Sequence, residues 1–188
     1  MATKTFTQAQ LTASDVNTFA LKGDTFIASA SVTAGSLVNC FSNDYQNYKI
    51  VVSNFFATAD CYLWFQLGYS SGNYYASGNY YSGGAYQAYS TGTITTYARN
   101  ASPYLQICAG CTAATGFPNS AIVNLTRLGS ISRVPYTAQA TLHLSSGIYG
   151  WSHMGQVLNE HVYDSLRWST TAGAVSSGTI TVYGVMQA

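Results

Sequence analysis

The chain has 188 residues and a formal net charge of +1, and its charged residues make up 7% against the roughly 25% of an ordinary soluble domain. That length allows one sizeable domain. The basic residues are scattered, so nothing offers a run of charge to a phosphate backbone and nucleic-acid binding is not expected.

No apolar stretch approaches the roughly 20 residues of a spanning helix, so membrane insertion is not expected either. The missing charge is replaced by Ser, Thr, Asn, Gly and Tyr, with 17 Gly and 16 Tyr. A disordered chain would be poor in aromatics and high in net charge, which this one is not. A neutral, Tyr- and Gly-rich surface is poorly protected against self-association. It suits a subunit whose surface is covered by copies of itself.

Residues 1–22 differ from the rest. The opening MATKTFTQAQ lacks an apolar signal region, so secretion by that route is not expected. Residues 11–21 hold one short helical pattern. Thr12 or Ser14 can cap it, Asp15 suits its first turn, and Gly23 ends it. Val16, Phe19 and Ala20 fall on one side. A helix this short is not stable alone and must dock, either on its own domain or on a neighbour. Residues 1–22 are therefore a candidate attachment arm, with Phe6, Leu11, Val16 and Phe19 as its apolar contacts. A helix that covers the base of the domain is the alternative.

From Asp24 onward the pattern is strands and turns. Strands are expected at 25–32 and 36–41, split at Ala34-Gly35. The central stretch is FSNDYQNYKIVVSNF, residues 41–55. A turn at Ser42-Asn43-Asp44 leads into a strand with Tyr48, Ile50 and Val52 on one face and Lys49, Val51 and Ser53 on the other. A turn at 57–60 precedes the strand 61–67, which is apolar on both faces except at Gln66 and reads as central.

Residues 68–92 are the oddest part. Ser71-Gly72-Asn73-Tyr74-Tyr75 repeats six residues later as Ser77-Gly78-Asn79-Tyr80-Tyr81. The stretch reads as a loop, too Gly-rich for a core strand and too aromatic for a linker. Tyr supplies contact area at low entropic cost, while Ser, Gly and Asn adapt their hydrogen bonds. Tyr69, Tyr74, Tyr75, Tyr80, Tyr81, Tyr86 and Tyr89 are thus candidate contacts, to a sister subunit or to an external ligand such as a cell-surface glycan.

Further strands are expected at 93–98, 104–109, 121–128 and 141–144, with a turn-rich loop at 147–153. The last two strands are expected at 162–168 and 178–185. About ten short strands with no long helix between them argue an all-β antiparallel sandwich.

The four cysteines, Cys40, Cys61, Cys108 and Cys111, read as buried small hydrophobes and free thiols. Cys108-Ala109-Gly110-Cys111 has the spacing of half a zinc or redox site, but no second pair completes it, and no metal site is assigned. Five of the six acids sit in turns or at strand starts, and Asp15 sits in the helix's first turn. The one local titratable cluster is His153, Glu160, His161 and Asp164. It reads as a polar loop network; as a site it would make the chain a lectin or a glycan-degrading domain. No catalytic residue is assigned.

Three motifs are familiar. Residues 163–168, YDSLRW, followed by 177–184, SGTITVYG, resemble the ending of many tailed-bacteriophage virion proteins, a YD-x-L/F strand and a final SGTI-x-VYG strand. Residues 41–50, FSNDYQNYKI, look like their FSS-x-YDNYRI element. Residues 6–18, FTQAQLTASDVNT, are similar to the FTAGQVLTASDVNTYL start of phage tail-appendage and structural genes.

The resemblance implies a jelly-roll-like β-sandwich over residues 24–188, a homotrimer, in a virion assembled in the bacterial cytoplasm. It implies other tail or capsid proteins as partners, and neither enzyme activity nor a cofactor. Residues 1–22 join the sandwich with no shaft between, so a compact knob is expected rather than a long fibre. The expected role is a tail-fibre or tail-appendage subunit in host attachment, with a capsid cement or decoration protein as the alternative.

Overall fold

A computed structural model describes residues 24–70, 73–75, 78–111, 118–126, 128, 133–144, 147–158, 161–171 and 175–185. The expected arm, with Phe6, Leu11, Val16 and Phe19, lies outside these residues. The described residues form thirteen strands and one short 3-10 turn at Val32–Ala34. The strands are β1 (Asp24–Ser31), β2 (Ser36–Leu37), β3 (Asn47–Ala57), β4 (Cys61–Tyr69), β5 (Asn73–Tyr74), β6 (Tyr80–Ala88) and β7 (Ile94–Ser102). They continue with β8 (Leu105–Cys111), β9 (Asn119–Leu125), β10 (Val134–Leu144), β11 (Gly147–Val157), β12 (Ser165–Thr170) and β13 (Val175–Val185). The protein is all-β, in two antiparallel sheets. The larger runs β1-β13-β3-β9-β10-β11-β6-β7. The smaller runs β2-β12-β4, and the far edge of β4 is shared by β5 and β8.

The core lies between the sheets. Ile50, Val52, Val123, Leu125, Ile180 and Val182 face it from the larger sheet. Leu63, Phe65, Leu67, Ile107, Leu166 and Trp168 face it from the smaller. The expected faces of β3 hold: Tyr48, Ile50 and Val52 are buried, and Lys49, Val51 and Ser53 are half-buried. Asn54 then adopts a left-handed φ of 51° at a register shift. The extra residue reverses the parity, so Phe55 and Ala57 point inward instead. The turn before β3 is closed by Tyr48, whose hydroxyl donates to the Ser42 carbonyl and accepts from the Ser42 amide, both at 2.7 Å.

Two of the familiar motifs meet in this sheet. In the β3–β13 pairing, Tyr183 lies opposite Lys49 and Gly184 opposite Tyr48. A Cβ at Gly184 would come within 2.5 Å of the Tyr45 ring. The final glycine and the tyrosine of the earlier turn are therefore one packing unit.

Two expectations are corrected. Residues 80–88 are not loop but strand β6, an interior strand between β11 and β7. Residues 147–153 are not a loop either but most of β11, which pairs along its whole length with β10. Some of the glycines in these two strands are places where another group presses on the strand. A Cβ at Gly155 would sit 1.9 Å from the Tyr81 carbonyl oxygen and 2.8 Å from the Tyr136 ring, and one at Gly84 would meet the Ser152 carbonyl at 2.3 Å.

Candidate functional site

The seven candidate tyrosines occupy several environments rather than one surface. Tyr80 is a core residue. Its hydroxyl accepts from the Leu67 amide at 3.0 Å and donates to the Tyr75 carbonyl at 3.1 Å. Burial raises its phenol well above the ordinary range. Tyr69 stacks on His161 with ring centroids 4.2 Å apart, and Tyr75 meets the same imidazole edge-on. Asn79 Nδ2 donates to the Tyr75 hydroxyl.

Tyr74 lies on the outer face of the smaller sheet, over Gly68. The Arg167 guanidinium sits 4.6 Å from its ring centroid. That guanidinium also donates through Nε and Nη2 to Gln66 Oε1, and Gln66 Nε2 donates to the Pro103 carbonyl at 2.9 Å. Trp64 and Tyr104 stack nearby, 5.1 Å apart. The result is a half-buried patch of aromatic rings and amides around one cation. This is why Gln66 is tolerated in an otherwise apolar strand: both ends of its amide are used.

Tyr81 and Tyr89 belong to the outer face of the larger sheet. Tyr89, 67% exposed, follows β6 in the turn and lies against Gly150. It walls a shallow depression of about 340 Å³ whose other lining includes Gln87, Ile94, Gln139, Thr141 and Ser152. Tyr81 walls a second of about 510 Å³, with Asn100, Thr137, Met154 and Gln156. Neither has a charged side chain in its lining. Amides, hydroxyls and a ring face can bind neutral hydroxyl-rich ligands or pack against another subunit.

Tyr86 turns inward, stacked 5.2 Å from Trp151. Trp151 is also 4.6 Å from Tyr97, and His153 completes the cluster beside Tyr97 and Tyr136. His153 Nδ1 is hydrogen-bonded to the Tyr97 hydroxyl, and its Nε2 is buried without a partner. Burial pushes this imidazole down to about 4, so it is neutral at pH 7.

The expected titratable cluster is divided. His153 sits among Tyr97, Tyr136 and Trp151 under the larger sheet, whereas His161 sits among Tyr69, Tyr75 and Tyr163. Asp164 Oδ1 accepts from the Ser165 hydroxyl at 2.5 Å. Glu160 lies outside the described residues. Among the described residues no three His, Cys, Asp or Glu side chains are grouped so as to hold a metal ion.

Sequence reading missed the Arg167–Gln66–Tyr74 patch and the Tyr97–Trp151–His153 cluster. In each, one partner is far from the others in sequence, Arg167 in the first and Tyr97 in the second, and strand pairing brings it to them. Comparison of the chain with protein-family models, with curated proteins and with solved structures finds no match.

Proposed function

We propose that this chain is a non-enzymatic structural subunit of a tailed-phage virion, a compact homotrimeric tail-fibre or tail-appendage subunit that serves host attachment. Residues 1–22 are its attachment arm and residues 24–188 its sandwich domain. The sandwich is a jelly roll. The strand order carries this reading: β1-β13-β3-β9 in one sheet faces β2-β12-β4-β8 in the other. The chain crosses between sheets at each of the steps β1 to β2, β3 to β4, β8 to β9 and β12 to β13, which is how a rolled-up pair of Greek keys is wound. In this reading β5, β6, β7, β10 and β11 are elaborations that widen one sheet.

The resembling motifs support the assignment through their packing. They supply β12, β13 and the turn into β3, in which Gly184 lies under Tyr45. The charge-poor outer face of the larger sheet, where Lys49 pairs with Asp24 and where Met154 is 68% and Ile94 64% exposed, supports a subunit that works among other subunits. That same face favours a second reading, a capsid cement protein that spreads over neighbouring shell subunits.

Quantitative mass spectrometry of purified virions against the major capsid protein tests both. A small minority of copies relative to capsid subunits is expected for the appendage. Near parity would assign the chain to the shell, and its absence from purified virions would end the virion reading.

A further inference from the structure

The core contains a cluster of sulfur that the sequence spacing does not predict. Along a regular strand, residues three apart point to opposite faces. Cys108 and Cys111 are three apart on β8, yet both are buried and their sulfurs lie 2.6 Å from each other. The β4–β8 register explains this. Cys61 is opposite Cys111 and Leu63 is opposite Cys108, so three steps on β8 span two on β4. That is a β-bulge with its extra residue inside Cys108-Ala109-Gly110-Cys111. It reverses the parity between the two cysteines and turns both thiols toward the core. Cys61, buried at 3% exposure, lies directly across from Cys111 as a third thiol.

We propose that Cys108 and Cys111 are a disulfide-forming pair, closed by a low-molecular-weight disulfide as oxidant, with Cys61 as the unpaired thiol beside them. One thiolate of the pair attacks the small disulfide, forms a mixed disulfide and releases one small thiol. The second thiolate attacks the protein sulfur of that mixed disulfide and displaces the other small thiol. Two electrons leave the cysteines and reduce the small disulfide to two thiols. The two cysteine protons go to those products through solvent.

The fourth cysteine, Cys40, is set apart. Its thiol donates to the Leu37 carbonyl, and burial pushes it up to about 12. In the trio, the Cys108 and Cys61 sulfurs hold the Cys111 thiol well above its ordinary value, and contact with Cys111 favours the Cys61 thiolate. All three sulfurs are shielded from solvent, so closure in the native protein waits on opening of β8, which pairs only with β4 among the described strands. Closure during folding has no such barrier. The bond spans this bulge, one of two register shifts in the β4–β8 pairing, and fixes it against straightening. This inference is independent of the virion reading.

The test uses the full chain, reduced and then refolded in oxidised glutathione, with a parallel sample oxidised in the native state. Both are quenched in acid, unfolded and alkylated with N-ethylmaleimide. The expected refolded product carries two labels instead of four, has lost two hydrogens in mass, and yields a peptide linking Cys108 to Cys111. The native sample reaches the same product more slowly. Cys61→Ala keeps the link, and Cys108→Ser abolishes it. Four labels after refolding, or a link that involves Cys61 or Cys40 in the unmodified chain, would overturn the proposal.

Discussion

At the scale of single residues, two buried polar groups are used in opposite ways. The Tyr80 hydroxyl joins three stretches of chain, because it accepts from Leu67 and donates to the carbonyl of Tyr75 inside the core. Tyr80→Phe keeps the ring but strands a buried N–H and a carbonyl. A loss of about 1–3 kcal/mol in urea unfolding is expected; a change within error would mean that water replaces the hydroxyl. His153 is the reverse case, a base held neutral by burial, with a folded pKa of about 4 against 6.5 for the ordinary side chain. Above pH 6.5 neither folded nor unfolded chain is protonated there, and stability is unaffected. As pH falls from 6.5 toward 4 the unfolded chain takes the proton first, so stability declines across that window and levels off below it. Between pH 6.5 and 5 this amounts to about 2 kcal/mol. His153→Gln should lack that part of the decline while keeping the part due to carboxylates. The His153 ring resonances of the unmodified protein provide a second check: they should not titrate between pH 8 and 5, and an ordinary imidazole curve would refute the burial argument.

At the scale of elements, what the sequence made legible follows from period and burial. β9 alternates along its whole length, β3 as far as Ser53 and β13 from Thr179 onward, since there one face lies on the core and the other is half-covered or wet. Their placement needs no knowledge of partners. β6 and β11 were hidden because their glycines mimic turn punctuation. Gly84 and Gly155 are required not by a turn but by a neighbouring carbonyl and ring that fill the space of a Cβ. Such a requirement lives in the pairing of β6 with β11 and of β11 with β10, where no local pattern records it. The sulfur cluster escaped for the same reason: a bulge changes parity without a marker in composition. The glycines can be told apart by experiment. Gly155→Ala forces its methyl into the Tyr81 carbonyl and should cost at least about 1–3 kcal/mol. Gly83→Ala meets nothing nearer than a carbonyl at 3.6 Å and should change stability by less than about 0.5 kcal/mol. Equal effects of the two substitutions on thermal unfolding would show that strand propensity, rather than close approach, sets the need for glycine.

At the scale of the whole molecule, the notable quantity is how little charge there is. Lys49 with Asp24 is the one ion pair among the described residues. The outer face of the larger sheet instead presents Phe26, Ile94, Ile122 and Met154 among small polar groups, each more than 40% exposed. A surface with few charges has little repulsion to keep copies apart, and contacts made through it gain from apolar burial rather than from Coulomb attraction. Two consequences separate the proposed assembly from simple stickiness. Sedimentation equilibrium of the full chain should fit a closed trimer, whereas open-ended association would appear as mass that keeps rising with concentration. Raising sodium chloride well above physiological ionic strength should leave the trimer intact, because screening has almost no charge to act on. Removing residues 1–22 should preserve cooperative melting and the trimer while abolishing incorporation into virions. If that truncation instead destroys cooperative melting, the first 22 residues belong to the domain rather than to an arm. A monomer at both lengths would leave the exposed apolar face to partners other than copies of this chain.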